Sequence, residues 1–289
     1  MKKILITGSS GFIGKSLVNF LNSKFYHIIE TGNSKIIDLC KWNEVKNIST
    51  ADVIIHLAGK NFVPDSFKNP LQYYNNNIVS TINILEKAKN DGSKVIFFST
   101  YLYGNPLYLP INENHPKRPL NPYTQSKLLC EELCEAYNRD FGVPVTIFRP
   151  FNIYGPGQNP SFFIPTIINQ IDNELIQLND SRPKRDFIYI DDIVDAVWRS
   201  IDYDHHNFNL FNLGSGVSTS VKDIVNMIIK LSHSKARAHF SDQIRQGEIL
   251  DTVADITKIK NELHWEPKIS FAEGLEIMLK TNISKNCNT

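Results

Sequence analysis

Near its start the chain runs an apolar stretch, Lys3 to Thr7, straight into Gly8-Ser-Ser-Gly11-Phe-Ile-Gly14. An amphipathic run carrying Leu17, Val18, Phe20 and Leu21 follows at once. Apolar run, glycine turn and 3.6-residue periodicity in that order predict strand, tight turn and helix. Gly8 permits the turn, Gly11 lets the backbone approach an anion, and Gly14 lets the helix close on the strand. The helix N–H groups and dipole then face that anion, as in sites that hold a pyrophosphate. A glycine trio alone is a weak signal, but between a strand and a helix it constrains the fold strongly. Thr7, Gly8, Ser10, Gly11, Phe12, Ile13 and Gly14 are therefore candidate dinucleotide contacts.

The pattern then alternates. Strands are expected at His27 to Thr31, Lys35 to Leu39, Asp52 to Leu57, Lys94 to Ser99 and Pro144 to Phe148. Helices are expected at Trp42 to Ile48, Leu71 to Asn90 and from Tyr123 to about Phe141. Asp52 to Leu57 is nearly continuous in apolar residues, as in a strand buried on both faces. Strands alternating with helices predict an α/β fold with a doubly wound parallel sheet, Rossmann-like. From Arg149 the texture changes to turn formers, through Gly157. Phe162 to Leu175 and Val217 to Leu231 read as helices, and Arg185 to Asp192 as a strand leading into an acid-capped helix. The tail is expected to be helical over Asp255 to Leu263 and Phe271 to Leu279. The predicted organisation is a dinucleotide-binding domain over 1–152, with 186–212 returning to it, and a smaller C-terminal substrate-binding lobe over 153–185 and 213–289.

Composition excludes several classes. Among 289 residues, 31 Lys plus Arg balance 30 Asp plus Glu, so nothing points to nucleic acid. No apolar run reaches membrane-spanning length. The opening Met1-Lys-Lys-Ile-Leu-Ile is broken at Thr7-Gly8, short of a secretory core. Cys40, Cys130, Cys134 and Cys287 are too scattered for a disulfide framework, and Cys130 and Cys134 lack further ligands for a metal. The expectation is a cytoplasmic protein without a metal.

Tyr123 and Lys127 follow a helix-start signal, Asn121-Pro122, and lie four apart, on one helix face. A phenol has a free pKa of about 10, and an ammonium beside it favours the phenolate. With a hydroxyl such as Ser99 on the same reacting oxygen, the set suits proton transfer to or from an alcohol or ketone during hydride transfer. Tyr-x-x-x-Lys also occurs by chance on many helices, and gains weight here from the glycine loop.

Together these motifs resemble the extended short-chain dehydrogenase/reductases, specifically the NAD-dependent epimerase/dehydratase family that acts on nucleotide sugars. Thr7-Gly8-x-x-Gly11-Phe-Ile-Gly14 resembles the family's dinucleotide loop, and Asp38-Leu39 its adenine-edge contact. His56-Leu57-Ala58-Gly59 resembles the segment lining the cofactor's ribose and phosphates, and Asn77 to Thr81 its Asn-containing helix. Ser99-Thr-Tyr-Leu-Tyr-Gly104 resembles a strand end that places the catalytic hydroxyl at Ser99 and Thr100 beside it at the substrate, with Tyr123 and Lys127 as the catalytic pair. Pro150 and Asn152 match positions at the nicotinamide and the nucleotide sugar. Arg185 and Arg245 match residues that meet the substrate diphosphate, a role suited to a bidentate guanidinium. The resemblance implies NADP or NAD as cofactor, a nucleotide-diphosphate sugar as substrate and a homodimer, paired through the Tyr123 helix and the helix before it with Leu129, Leu133 and Tyr74 facing outward.

Departures from the family pattern narrow the activity. Dehydratases carry Asp-Glu where this chain has Thr100 and Tyr101, so dehydration is disfavoured. Fucose-synthase types carry a Cys at the position of Tyr101. The turn after the second strand, Gly32-Asn33-Ser34-Lys35, has no acid to grip a ribose diol. It suits a 2′-phosphate, with Glu30 the alternative anchor for NAD. The short stretch between the second and fourth strands resembles the sugar 4-ketoreductases. The leading expectation is an NAD(P)H-dependent reductase of a nucleotide-linked 4-keto-6-deoxy sugar. The alternatives are a 4-epimerase with tightly bound NAD and a non-catalytic dinucleotide-binding relative.

Overall fold

The computed structural model of the chain describes residues 1–32, 36–203, 207–241, 243 and 248–286. Strand β1 (Lys2–Thr7) leads through the glycine turn into α1 (Phe12–Asn22) and β2 (Tyr26–Thr31). Then come α2 (Trp42–Val45), β3 (Val53–His56), α3 (Val63–Lys68), α4 (Pro70–Tyr74), a π-helical turn (Asn75–Val79) and α5 (Ser80–Asp91). Strand β4 (Lys94–Phe98), helix α6 (Pro122–Phe141), and strands β5 (Val145–Pro150) and β6 (Asn152–Tyr154) follow. The remainder is α7 (Phe163–Ile168), β7 (Leu175–Leu178), β8 (Lys184–Tyr189), α8 (Ile190–Ile201), β9 (Phe208–Leu213), β10 (Ser218–Ser220), α9 (Val221–Ser232), β11 (Arg237–Phe240), α10 (Thr257–Leu263) and α11 (Phe271–Asn286).

The main sheet has six parallel strands in the order β2-β1-β3-β4-β5-β9, the expected doubly wound α/β fold. Alternate residues of its strands feed two cores. Ile4, Ile6, Ile55, Ile96 and Phe148 pack on one face with Leu17 and Leu21 of α1 and Val194 and Val197 of α8. Leu5, Ile54, Val95, Phe97 and Ile147 pack on the other with Ile84 of α5 and Cys130 and Cys134 of α6. Burial on both faces explains why these strands read as unbroken apolar runs. The chain leaves β1 toward β2 on one side and β3 on the other. The crevice at the C-terminal ends of β1 and β3 is thus the topological switch point, where α/β sheets bind ligands.

A second sheet, β10-β8-β6, and a pair, β11-β7, make the remaining strands. Strand β8 belongs to this small sheet, whereas α8 packs on α1 and β9 closes the edge of the main sheet. Among the described residues no helix is long and apolar enough to cross a membrane.

Three expected elements differ. Ile36 to Leu39 is turn and irregular chain, not a strand. There the Asp38 carboxylate accepts from Cys40 N at 3.0 Å and Glu44 accepts from Asp38 N at 2.6 Å. Such local side-chain bonds offer the backbone an alternative to a ladder. The expected Leu71 to Asn90 helix is divided, starting at Pro70 and widening into the π turn around Asn77. The helix expected over Phe162 to Leu175 stops at Ile168, and Leu175 begins a strand paired with β11.

Candidate active site

The turn after β1 is set by close approach. Gly8 sits at φ +71°, and a Cβ there would lie 2.8 Å from the Ala58 amide nitrogen. A Cβ on Gly14 would meet the Gly8 carbonyl oxygen at 2.2 Å. Both positions admit only glycine, so α1 presses onto the turn. Helix α1 starts at Gly11 without a side-chain cap and with no acid in its first turn. Its first N–H groups are therefore left for an anion. Ser10 Oγ donates to the Gly32 carbonyl, joining the turn to the end of β2. Phe12 and Ile13 point the other way and pack on the core. These features fit a dinucleotide pyrophosphate on the helix terminus. Gly32 follows the last residue of β2, Thr31, while Glu30 pairs with Ile6 inside the strand. Asn33, Ser34, Lys35 and Arg245 lie outside the described residues. Asp38 is engaged in its own turn, and the Leu39 carbonyl accepts from Asn83.

The end of β3 is wired to the same turn. Thr7 Oγ1 lies 2.7 Å from His56 Nδ1 and accepts from Ala58 N at 3.2 Å. His56 Nε2 lies 3.2 Å from Thr81 Oγ1. Burial pushes the imidazole pKa down to about 3, and the Lys127 ammonium adds to this. The Leu57-Ala58-Gly59 loop is held by Asn77, whose Oδ1 accepts from Lys60 N at 2.8 Å and whose Nδ2 donates to Lys60 O at 3.1 Å. The same amide donates to Ser126 Oγ at 2.9 Å, between Tyr123 and Lys127. A π turn inserts one extra residue and is frequent at functional sites; here it carries the side chain that clamps loop to helix.

Helix α6 begins where the sequence signals it. Asn121 caps it by accepting from Thr124 N at 2.9 Å, Thr124 Oγ1 accepts from Asn121 N in return, and Pro122 occupies the first turn. Tyr123 and Lys127 are both buried on the face toward β4. Lys127 Nζ donates to the Phe98 carbonyl at 2.7 Å, and a Cβ on Gly59 would stand 3.7 Å from the same nitrogen. Burial lowers the Lys127 pKa. Burial pushes the Tyr123 phenol up to about 12, against a hydrogen bond with Thr100 that pulls it back. The expected downward shift of Tyr123 does not occur: burial dominates, and the Lys127 ammonium is turned to the Phe98 carbonyl. Ser99 Oγ is buried and has no protein partner, an acceptor and donor free for a bound oxygen.

Tyr101 donates to the Gly104 carbonyl at 2.6 Å, and its ring stands edge-on to Tyr103 and Phe151. Burial drives its pKa up, so neither it nor Thr100 supplies an acid–base pair. Pro150 is buried at the end of β5, and Asn152 Nδ2 donates to the Asp186 carbonyl at 2.9 Å. Arg185 is paired with Glu248 and donates to the Ile249 carbonyl at 2.6 Å. The Tyr101 phenol is close enough to act on its charge.

Two groups escaped the sequence. Asp186 is fully buried and accepts from Ser215 N and Oγ, Gly216 N and Ala254 N at 2.6 to 3.0 Å, so it pins the second lobe's loops. Arg149, a charge ending the apolar β5, is buried with Glu131 of α6. A lone charge in such a strand demands a partner, but its identity is not written in the spacing.

Residues 4–214 match the NAD dependent epimerase/dehydratase family. A putative UDP-glucose 4-epimerase of Methanocaldococcus jannaschii is 34% identical over 99% of this chain and 99% of its own length. A GDP-6-deoxy-D-mannose reductase of Pseudomonas aeruginosa is 27% identical over 96% of each. The structure of RMD from Pseudomonas aeruginosa complexed with NADPH superposes with a TM-score of 0.92 at 26% identity, covering 99% of this chain and 100% of that one. With the glycine turn, the Tyr123–Lys127 helix and the full-length match in agreement, the chain belongs to the NAD dependent epimerase/dehydratase family of enzymes.

Proposed function

We propose that this chain is an NAD(P)H-dependent reductase of a nucleotide-linked 4-keto-6-deoxy sugar. The observation that carries the reading is Tyr123, buried and hydrogen-bonded to Thr100 next to the unpartnered Ser99 hydroxyl, with burial favouring the protonated phenol that ketone reduction needs as donor. When bound, the reduced dinucleotide supplies the hydride. Tyr123 donates its proton to the carbonyl oxygen, which becomes the product hydroxyl, and the phenolate is reprotonated from solvent. Ser99 orients that oxygen with its free hydroxyl, Lys127 favours the transient phenolate and holds the cofactor ribose, and Arg185 and Arg245 pair with the diphosphate. Arg185 must exchange Glu248 for the diphosphate when substrate binds. Tyr101, tied to Gly104, leaves no second base for water elimination. The relative named a GDP-6-deoxy-D-mannose reductase supports the same class.

A second reading, a nucleotide-sugar 4-epimerase with tightly bound NAD, is favoured by the name of the Methanocaldococcus relative. The two separate on cofactor exchange. The purified chain should consume NADPH stoichiometrically with a nucleotide 4-keto-6-deoxy sugar. Interconversion of two 4-hydroxy sugars with no added dinucleotide would replace the reductase by the epimerase.

We further infer a cytoplasmic homodimer. Phe67 and Leu71, on α3 and α4 beside α6, are 62% and 70% exposed and offer a partner an apolar face. Leu129, Leu133 and Tyr74 are half-buried instead, and Leu133 packs on the core.

A further inference from the structure

Glu131 follows Lys127 by four residues, so the two share a helix face. A carboxylate there would ordinarily be the nearest partner for the ammonium. It is engaged elsewhere. Arg149 Nε donates to Glu131 Oε1 at 2.9 Å and Nη2 donates to Oε2 at 2.6 Å, a two-pronged pair with both side chains almost fully buried. The guanidinium is itself fixed from a third side. Its Nη1 donates to Tyr103 Oη at 2.9 Å and to the Glu113 carbonyl at 3.2 Å, and its plane lies 5.1 Å from the Tyr103 ring. Tyr103 donates onward to Asn212 Oδ1 at 2.6 Å, and Glu113 accepts from Asn212 N at 2.8 Å. Arg149 is thus locked by the loop that follows Ser99 and by β9 before it meets the catalytic helix.

We propose that Arg149 is a positioning residue that sequesters Glu131 and so leaves the Lys127 ammonium free for the Phe98 carbonyl and the bound cofactor. The proposal rests on the reading of Lys127 given above. Lys127 is faced by His56 from β3, by Cys130, Cys134 and Glu131 of its own helix, and by the Phe97 ring of β4. Glu131 is the single carboxylate among these groups. Its forked partner is an arginine, which matches both carboxylate oxygens at once, as lysine cannot. Freed from Arg149, Glu131 would pair with Lys127. The lysine would then turn away from the cofactor and its field at Tyr123 would be largely cancelled.

The test compares Arg149→Met, Arg149→Met with Glu131→Leu, and Lys127→Met by calorimetry of dinucleotide binding and by the pH dependence of turnover. Arg149→Met should bind the dinucleotide about tenfold or more weakly. Its high-pH limb should move about one unit upward, because on the proposed reading Lys127 favours the Tyr123 phenolate once cofactor is bound, and pairing with Glu131 would withdraw it from that role. The double variant, which replaces a buried ion pair by apolar groups, should recover both values. Should Arg149→Met fail to fold, Arg149→Gln, a polar side chain without the charge or the two-pronged fork that holds Glu131, should show the same two shifts. A folded Arg149 variant with wild-type affinity and an unmoved pH limb overturns the proposal, as does a double variant no better than the single. If Lys127→Met itself leaves dinucleotide affinity unchanged, the assigned role of Lys127 fails first. If Lys127→Met weakens binding and the Arg149 variants do not, only the Arg149 proposal falls.

Discussion

Lys127 Nζ donates to the carbonyl of Phe98, the residue before Ser99, across a separation of 29 positions in the chain. One hydrogen bond therefore fixes α6 against the strand end that carries the unpartnered Ser99 hydroxyl. The same ammonium stands 3.7 Å from where a Cβ on Gly59, in the loop after β3, would lie. The chemistry assigned to this site depends on that alignment more than on any one side chain.

Replacing Tyr123 with Phe removes the proton donor and keeps the ring that meets Tyr73 edge-on at 6.4 Å. Turnover should fall by about 100- to 10,000-fold while thermal unfolding stays near wild type. Wild-type-like turnover in this variant would remove Tyr123 from the reaction.

A side chain at Gly11 would occupy the space over the helix terminus. In Gly11→Val the Cβ stands 3.1 Å from the Gly8 carbonyl, a contact the turn absorbs by a small shift. Dinucleotide affinity should weaken by about tenfold or more, read by calorimetry. Unchanged binding would take the turn out of the cofactor site.

Lys35 is expected to face a 2′-phosphate. Lys35→Ala should raise the Michaelis constant for NADPH by the equivalent of about 1.5–3 kcal/mol, as for one charged hydrogen bond, and leave that for NADH unchanged. Equal effects on both dinucleotides would place the phosphate elsewhere.

His56 gives the protein an acid-side weakness. Its pKa is about 3 in the fold, against 6.5 for the free group. As pH drops below the upper value, the unfolded chain takes up a proton that the folded chain refuses. The stabilisation is complete above that value and is lost progressively toward the folded pKa. Denaturant midpoints should fall over this window, and His56→Gln should lower the slope by about one proton. An unaltered slope would mean that other groups drive the acid loss.

For the homodimer, light scattering at micromolar concentration should give twice the mass of the 289-residue chain, and Phe67→Glu with Leu71→Glu should return it to one. A monomeric wild type disposes of the interface.

The sequence by itself determined most of the elements and the family of the chain. The Gly8, Gly11 and Gly14 spacing specified a strand, turn and helix, because two of those positions leave no room for a Cβ. Asn121-Pro122 and Thr124 specified the start of α6, because a capping box is a local interaction complete within four residues. Continuous apolar runs identified strands buried on both faces. These signals are legible because the forces behind them act over one or two turns of chain.

Only the tertiary structure decided what those elements meet. Lys127 turning to Phe98, Asn77 clamping Lys60 to Ser126, and Arg149 pairing with Glu131 all join residues distant in the sequence. Ile36 to Leu39, the described part of the strand expected over Lys35 to Leu39, is irregular because Asp38 and Glu44 satisfy the backbone locally. The Tyr123 phenol titrates above its free value because burial in the packed interior disfavours the phenolate more than the Thr100 hydrogen bond favours it. Burial and long-range pairing are properties of the assembled molecule, and no spacing along the chain encodes them.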